Sequence, residues 1–347
     1  MAKKLRVALV GVGGIAQGCH IPGWQKVEDA EIVAVADVSK QALATGGELA
    51  GIPKQRRYTD YNKMLAEVDA DIVDVCTPNC LHKAPTIAAF KKGCHVLVEK
   101  PITTSVANAK QMIAAGKQAG KLLMVAQCMR FGEDALAMKR WVDEGLVGDI
   151  YWGRASYLRP RGVPAWGSFT SKELSAGGPA YDLAVHILDL CIWLMGHPEP
   201  VSVSANIYLE ISNKPSLMKH DPKKFTVPDE LAVGFIRFAN GASLSLETSW
   251  AINATQPNNG ILLAGTKGGI QNNPPTLVRE EAGMLTDTIV QVNPDRGISS
   301  HHEEIRQFAE AVRQGKPSPV PGEQALITQR ILDGIYKSSQ RGKEVRV

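Results

Sequence analysis

The chain has 347 residues, of which 44% are hydrophobic and 21% charged, a globular composition and more chain than one compact core usually supports. The net charge of +4 is scattered, which argues against a nucleic-acid partner, and no apolar stretch reaches the roughly 20 residues of a membrane span. Six cysteines without a CxxC pair indicate free thiols in a reducing compartment. We therefore expect two domains in a cytoplasmic protein with neither membrane nor metal partner.

The first third of the chain alternates short apolar runs with amphipathic segments. Continuous Val, Ile, Leu and Ala runs suit strands that are covered on both faces, and strands that alternate with helices predict a doubly wound parallel sheet. The predicted strands are 5–12, 31–37, 71–77, 95–100 and 122–127, and the predicted helices are 15–27, 40–50, 61–68, 81–92 and 105–119.

After about residue 130 the apolar residues alternate by twos, which is typical of an antiparallel sheet with one apolar face. Val201, Val203, Ala205, Ile207 and Leu209 are predicted to share a face, and 231–238 with 242–250 reads as a hairpin about an Asn-Gly turn. Helices are predicted at 133–145, 180–195, 302–314 and 323–340. We expect helix 180–195 to cover the apolar face, and the semi-polar face to meet another subunit.

A glycine motif follows the first predicted strand and opens a helix. In GVGGIA (11–16) the first glycine permits a tight turn, the second lets the backbone approach a diphosphate, and the last small residue allows close helix packing. Asp37 ends the second predicted strand, where a ribose-binding acid belongs. The motif favours NAD over NADP, although Lys40 leaves room for NADP and Asp37 has a second interpretation as a turn residue.

Two further stretches carry candidate chemistry. Lys100 lies between Glu99 and Pro101 at the carboxyl end of a predicted strand, where it either donates to a substrate oxygen or is a solvated lysine. Asp182 and His186 interrupt an apolar helix four residues apart and so share a face. The two glycines before that helix, Gly177 and Gly178, are predicted to let substrate approach the backbone.

In chain order, GVGGIA, CTPN (76–79) with His82, EKP (99–101), MRF (129–131) and GGPAYDLAVH (177–186) resemble the glucose–fructose oxidoreductase/inositol dehydrogenase (Gfo/Idh/MocA) family. The resemblance implies an NAD(P)-binding Rossmann domain at 1–128 and, at 129–347, an open-faced α/β domain for substrate and oligomerisation. In this arrangement the C-terminal helices of the chain can pack against the first domain. It also implies a tightly held nicotinamide cofactor, sugar or polyol chemistry and a homodimer or homotetramer. One departure is Gly132-Glu133-Asp134, where many members have a proline.

The resemblance also assigns residues. The catalytic group would be Lys100, Asp182 and His186, with His186 as general base, Asp182 as its partner and Lys100 stabilising the developing alkoxide. Asp189, three residues beyond His186, is interpreted as structural. The predicted cofactor contacts are Gly11, Gly13, Gly14, Ile15, Ala16, Asp37, Thr77, Asn79, His82, Glu99 and Lys100.

Specificity is expected from the loop 157–172, whose charged and aromatic side chains suit a sugar ring; the other interpretation is a surface loop with a packed tryptophan. The predicted substrate contacts are Arg130, Arg159, Arg161 and Trp166. The run His301–Glu304 looks metal-like but is interpreted as the first turn of a helix.

The leading hypothesis is an NAD-dependent oxidoreductase that acts on a secondary hydroxyl or ketone of a sugar, sugar acid or cyclitol. One alternative keeps the cofactor but hydrolyses glycosides after transient oxidation. Another is a non-catalytic NAD sensor, which the set of Lys100, Asp182 and His186 argues against.

Overall fold

The computed structural model describes residues 3–255, 257, 259–291 and 299–347. The described chain forms two compact units. The first comprises the residues up to Cys128 with those from 299 to Leu326, and the second those from Met129 to 291 with those from Ile327 to Val347. None of the helices in these ranges is long and apolar enough to cross a membrane.

The first unit is built on a six-stranded sheet in the order β3-β2-β1-β4-β5-β6, with every adjacent pair parallel. The central β4 and the edge strand β6 are buried along their whole length, as strands covered on both faces are expected to be. The strands are β1 (Leu5–Val10), β2 (Ala30–Ala36), β3 (Arg57–Tyr58), β4 (Ile72–Val75), β5 (His95–Glu99) and β6 (Leu123–Ala126). The short β3 was not predicted.

Three helices of this unit, α2, α3 and α5, begin at a polar residue whose side chain accepts from the first turn; the Ser105 hydroxyl, for example, accepts from Asn108 N before α5. A π-helical turn at Ala16–His20 precedes α1, and α9 joins this unit from the other end of the chain. The α-helices are α1 (Ile21–Gln25), α2 (Lys40–Leu49), α3 (Tyr61–Glu67), α4 (Lys83–Lys91), α5 (Val106–Ala119) and, later, α9 (Ser300–Gln314). Short 3₁₀ turns lie at Lys54–Arg56 and Asn79–Leu81.

The second unit is built on a nine-stranded sheet in the order β14-β13-β12-β11-β7-β10-β9-β8-β15, in which β7 and β10 are parallel and the other pairs antiparallel. Its strands are β7 (Ile150–Leu158), β8 (Pro200–Tyr208), β9 (Leu231–Phe238), β10 (Ser243–Ser249), β11 (Gly260–Gly265), β12 (Gly269–Gln271), β13 (Thr276–Glu281), β14 (Met284–Ile289) and β15 (Val345–Arg346). The two sheets confirm the predicted fold class.

The helices of the second unit are α6 (Glu133–Asp143), α7 (Lys172–Ser175) and α8 (Val185–Leu194), with a π-helical segment Ala180–Ala184 and 3₁₀ turns at Cys128–Phe131 and Pro222–Lys224. The division between the units falls within α10 (Gly322–Arg341). Residues of α8 such as Leu188 and Cys191 pack with Leu244 and Ile236 of the sheet, so α8 covers the apolar face. Gly132, in place of the proline, is the N-cap of α6.

The predicted alternation in the strand 201–209 is wrong at its start. Val201 is 41% exposed and Ser202 is 7% exposed, because the pairing of β8 with β9 shifts register between Pro200 and Ser202. A bulge places two residues of one strand opposite one of the other and so inverts the faces on one side of it. Beyond the bulge, Val203 is buried as expected.

Candidate active site

The glycine turn leaves an open cradle above the end of β1. Gly11 has φ +87°, and a Cβ there would lie 2.7 Å from both the carbonyl carbon and the oxygen of Cys76. Gly13 and Gly14 have no heavy atom within 4 Å of a Cβ position. Gly11 is therefore required because the backbone that follows the neighbouring strand β4 passes close to it, while Gly13 and Gly14 face open space where a diphosphate fits.

The rest of the motif divides between packing and exposure. Ala16 is fully buried, whereas the Ile15 side chain is 38% exposed beside the turn. Both oxygens of Asp37 accept backbone N–H groups, from Val12 at 2.8 Å and from Ser39 at 2.8 Å. The N-cap of α2 is Ser39 rather than Asp37. A carboxylate offers about four lone-pair directions, so Asp37 can hold the turn and still accept from a ribose hydroxyl.

The turn after β4 brings Thr77, Asn79 and His82 together. The Thr77 hydroxyl has no hydrogen-bond partner among the described residues, and Asn79 opens a 3₁₀ turn. His82 is fully buried, with Nδ1 2.8 Å from Pro101 O and Nε2 2.8 Å from Thr77 O. Burial lowers the pKa of His82, although both carbonyls oppose this. Because both ring nitrogens are engaged, His82 shapes these turns, and the predicted direct cofactor contact is not favoured.

The end of β5 carries the EKP stretch. Glu99 is 6% exposed, and its oxygens lie 2.8 Å from His20 Nε2 and 2.9 Å from Lys100 N. Burial acts to raise the pKa of Glu99, but the hydrogen bond from His20 and its charge lower it to about 2. Both oxygens of Glu99 are thus hydrogen-bonded within the protein, which favours a role in positioning Lys100 over the predicted contact with the cofactor. Lys100 itself is half-buried.

In the second unit, Asp182 and His186 stand out by exposure. Within the described stretch 177–192 every other residue is buried, and these two are half-buried. Asp182 lies in the π-helical segment and accepts from Trp250 Nε1 at 3.0 Å, while His186 lies in α8. The segment predicted as a single α-helix thus begins with a wider, π-helical turn. Such turns are frequent at functional sites. Helix spacing had predicted the pair, and the exposure pattern sets it apart from the core.

The role predicted for Gly177 and Gly178 is wrong. A Cβ at Gly177 would lie 2.0 Å from the Tyr336 hydroxyl oxygen, and one at Gly178 would lie 2.1 Å from Asp229 O. The space is filled by protein rather than left for substrate. Sequence reasoning missed Asp229, a buried carboxylate that accepts from Gly178 N at 2.8 Å and from Ala180 N at 3.3 Å. Burial raises its pKa to about 6.

The predicted specificity loop presents one exposed aromatic side chain. Trp166 is 67% exposed and contacts Phe169 edge-on at 6.1 Å between ring centroids. The guanidinium of Arg159 lies 5.4 Å from the ring centroid of Tyr157. Arg161 already donates to the carbonyl of Pro160 and to neighbouring groups. The exposed Trp166 is free of a structural role in the core, and its contact with a sugar stays a prediction.

Arg130 does not fit its predicted substrate contact. It is 2% exposed, and its Nε and Nη2 donate to the two oxygens of Asp189 at 2.6 and 2.7 Å. The pair forms a fully buried bidentate ion pair, with the guanidinium 5.8 Å from the ring centroid of Trp193. This geometry gives Arg130 a structural role and explains the acid at position 189.

Comparison with known proteins bears on the whole chain. A family model described as an oxidoreductase family with an NAD-binding Rossmann fold (Gfo/Idh/MocA) matches residues 5–127, and the family's C-terminal domain model matches residues 135–271. The D-glucoside 3-dehydrogenase of Escherichia coli (strain K12) is 34% identical over 356 aligned residues, which cover 100% of this chain and 98% of the relative. The chain belongs to the Gfo/Idh/MocA family.

Further relatives of the family agree. A scyllo-inositol 2-dehydrogenase (NADP(+)) of Bacillus subtilis (strain 168) is 29% identical over 293 residues, 79% of this chain and 78% of that protein. The crystal structure of an aldose-aldose oxidoreductase from Caulobacter crescentus complexed with glycerol superposes with a TM-score of 0.81 at 25% identity, covering 99% of this chain and 100% of that one. The predicted family and the predicted class of NAD-binding oxidoreductase are confirmed. The residue roles, domain limits, location and oligomeric state stay predictions.

Proposed function

We propose that this member of the Gfo/Idh/MocA family is an NAD-dependent dehydrogenase for a secondary hydroxyl of a sugar, sugar acid or cyclitol. D-glucosides are the first substrates to test, because the full-length relative from Escherichia coli carries that name. The observation that carries the proposal is the exposure of Asp182 and His186 in a stretch that is otherwise buried. A stretch that is buried apart from an acid and an imidazole is suited to proton transfer.

The cofactor would be held by the first unit. The open turn at Gly13 and Gly14 accommodates the diphosphate, and the half-buried carboxylate of Asp37 accepts from the adenosine ribose and repels a 2′-phosphate. NAD, when bound, supplies the hydride chemistry. Lys40, next to the turn, is the reason to test NADP as well.

Proton transfer would fall to His186, since imidazole is the side chain best suited to general acid–base catalysis near neutral pH. Asp182 orients or stabilises this ring, and Trp250 fixes the Asp182 carboxylate through its indole N–H at 3.0 Å. Lys100 stabilises negative charge on the substrate oxygen. These are the roles that the family resemblance assigns to the three residues.

We further propose a homodimer or homotetramer in the cytoplasm, formed through the outer face of the nine-stranded sheet. A shallow depression on this face is lined by polar side chains, among them Ser204, Asn206 and Ser245, together with the apolar Val233 and Phe235. A face of this kind suits sheet-to-sheet contact between copies. Light scattering at several protein concentrations measures the oligomeric state, and a monomer at all of them would contradict the proposal.

The experiment is a substrate panel of D-glucosides, free sugars, sugar acids and inositols with NAD and NADP, followed by NADH absorbance and product analysis. We expect NADH to accumulate, and His186→Ala to lower kcat by about 10²–10⁴-fold. Lys100→Ala is expected to lower kcat to a similar extent. Lys110→Ala, which removes an exposed lysine of α5, is the control and should keep normal turnover.

Two outcomes of this panel point to other functions. Free sugar released from a glycoside without NADH indicates hydrolysis after transient oxidation. NAD binding by fluorescence titration, with no product from any substrate, indicates a sensor. Full turnover in Lys100→Ala contradicts the mechanism.

A further inference from the structure

A buried histidine connects two strands of the parallel sheet. His20 is fully buried at the end of the π-helical turn that follows the glycine motif. Its Nδ1 lies 2.8 Å from Asp74 Oδ2 in β4, and its Nε2 lies 2.8 Å from Glu99 Oε1 at the end of β5. Because β4 and β5 are neighbours, one imidazole ring links two carboxylates on adjacent strands.

The acceptors on both sides determine the charge of this ring. A carboxylate only accepts, so both ring nitrogens carry protons and His20 is an imidazolium. Burial has the largest single effect and opposes a buried cation, but the charges and hydrogen bonds of Asp74 and Cys76 together outweigh it and hold the pKa of His20 well above its usual value. Asp74, His20 and Glu99 thus form a buried series of anion, cation and anion.

The two ends of this series differ. Asp74 Oδ2 also accepts from Trp24 Nε1 at 2.7 Å, so its position does not depend on His20 alone. At the other end, Glu99 Oε2 accepts from Lys100 N at 2.9 Å. The hydrogen bond from His20 therefore fixes the position of the carboxylate that accepts from the backbone N–H of Lys100.

A second acid from α9 faces the same series. Glu304 is fully buried, and neither of its oxygens has a hydrogen-bond partner among the described residues. Burial, and then the charge of Glu99, raise its pKa well above the usual value. Since neither oxygen accepts from His20, Glu304 does not compete with Glu99 for its Nε2. The other titratable groups that act on the series are Cys19, Cys76, Cys128, Lys100 and His301.

A metal ion is the competing explanation for these side chains, because ligand atoms of His20, Asp74 and Cys76 lie within 4.8 Å of one another. Metal binding requires a thiolate and a ring nitrogen with a free lone pair. Burial raises the pKa of Cys76, so the group stays a thiol, and both nitrogens of His20 point at carboxylates. The geometry favours hydrogen bonds over coordination.

We infer that His20 is a positioning residue for Lys100, which it holds through the Glu99 carboxylate. The inference rests on the proposed catalytic role of Lys100. A buried ion series contributes little net stability compared with apolar packing, but its directional bonds fix one backbone position at the end of β5. A displacement of about 1 Å at a reacting group can lower a rate by roughly 10²-fold.

Two substitutions of His20 distinguish the positioning of Lys100 from a general structural role, because both remove the imidazolium charge but each keeps a different hydrogen bond. The amide nitrogen of His20→Asn takes the place of Nδ1 and keeps the bond to Asp74, whereas that of His20→Gln takes the place of Nε2 and keeps the bond to Glu99. Both variants should lose similar stability in urea unfolding. We expect His20→Asn to lower kcat at least 10-fold with KM for NAD within 3-fold, and His20→Gln to retain kcat within 3-fold.

The second readout needs no activity. Hydrogen exchange of the Lys100 backbone amide, measured on the full chain without cofactor, should be at least 10-fold faster in His20→Asn than in His20→Gln. If the His20 variants do not fold, Glu99→Ala replaces them. This variant removes the carboxylate that accepts from Lys100 N, so its Lys100 amide should exchange at least 10-fold faster than in the unsubstituted protein.

Equal exchange of the Lys100 amide in the two His20 variants, or unchanged exchange in Glu99→Ala, overturns the inference. Equal kcat in the two His20 variants, with Lys100→Ala inactive, overturns it as well and leaves the proposed function standing. Full turnover in Lys100→Ala has the opposite meaning: it refutes the proposed role of Lys100 whatever the exchange rates are.

Discussion

Replacing Gly11 by alanine tests the geometry of the cofactor turn. The residue has φ +87°, and the added Cβ would lie 2.7 Å from two backbone atoms of Cys76 and 2.9 Å from Thr77 N. A left-handed conformation costs an alanine roughly 1–2 kcal/mol, and overpacking against atoms that cannot rotate away costs roughly 1–3 kcal/mol. Gly11→Ala should therefore lower the free energy of unfolding by about 2–5 kcal/mol.

Gly13→Ala is the matched control for stability. A Cβ at Gly13 has no heavy atom within 4 Å, so the free energy of unfolding should change by less than about 1 kcal/mol. The same methyl group occupies the space through which the backbone would approach a diphosphate. We expect the Kd for NAD to rise at least 10-fold, or about 1.4 kcal/mol.

The assays are urea unfolding followed by circular dichroism and NAD titration followed by protein fluorescence. The reasoning requires opposite patterns: Gly11→Ala unstable, Gly13→Ala stable but weak in binding NAD. Equal stability of the two variants would refute the close approach of Gly11 to the backbone of Cys76 and Thr77. Normal NAD affinity in Gly13→Ala would refute the assignment of this turn to the cofactor.

Two further predictions concern the buried charges of the second unit. Arg130→Met should lower the free energy of unfolding in urea by about 3–5 kcal/mol, because Asp189 is left buried and unpaired. The double variant Arg130→Met with Asp189→Leu should recover most of this loss. A lower kcat/KM with normal stability would instead support substrate contact by Arg130. The folded pKa of Asp229, about 6, exceeds the ordinary value near 3.9, so this group's contribution to stability grows as pH falls from about 6 to about 4. Asp229→Asn should remove about 3 kcal/mol of that pH dependence, and identical pH profiles in urea unfolding would contradict it.

Much of the fold could be predicted because each element leaves a local pattern. The parallel strands are continuous apolar runs, and the hairpin of β9 and β10 has an Asn-Gly turn between alternating segments. The bulge before Ser202 left no such pattern, because alternation predicts two faces without saying where pairing slips. The exposed Val201 follows from pairing with β9, which lies elsewhere in the sequence.

Motifs predicted the candidate catalytic and cofactor residues, but they did not predict the buried groups that hydrogen-bond to them. His20, Asp74 and Glu99 are far apart in sequence, so no spacing rule joins them. One signal was present: Asp74 interrupts the apolar run DIVDV, and a charge in a strand covered on both faces requires a buried partner. For Gly177 the decisive neighbour, Tyr336, comes from the last helix of the chain, so sequence alone could not distinguish packing from substrate access.

Each unit anchors a proposed catalytic segment with a buried carboxylate on a backbone N–H. Glu99 accepts from Lys100 N, and Asp229 accepts from Gly178 N ahead of the helix with Asp182. The two anchors differ in charge compensation. Glu99 faces an imidazolium, and its pKa falls to about 2. Asp229 is bonded by neutral donors alone, and burial raises its pKa to about 6. Acid therefore neutralises the anchor of the second unit first, while the one beneath Lys100 stays ionised.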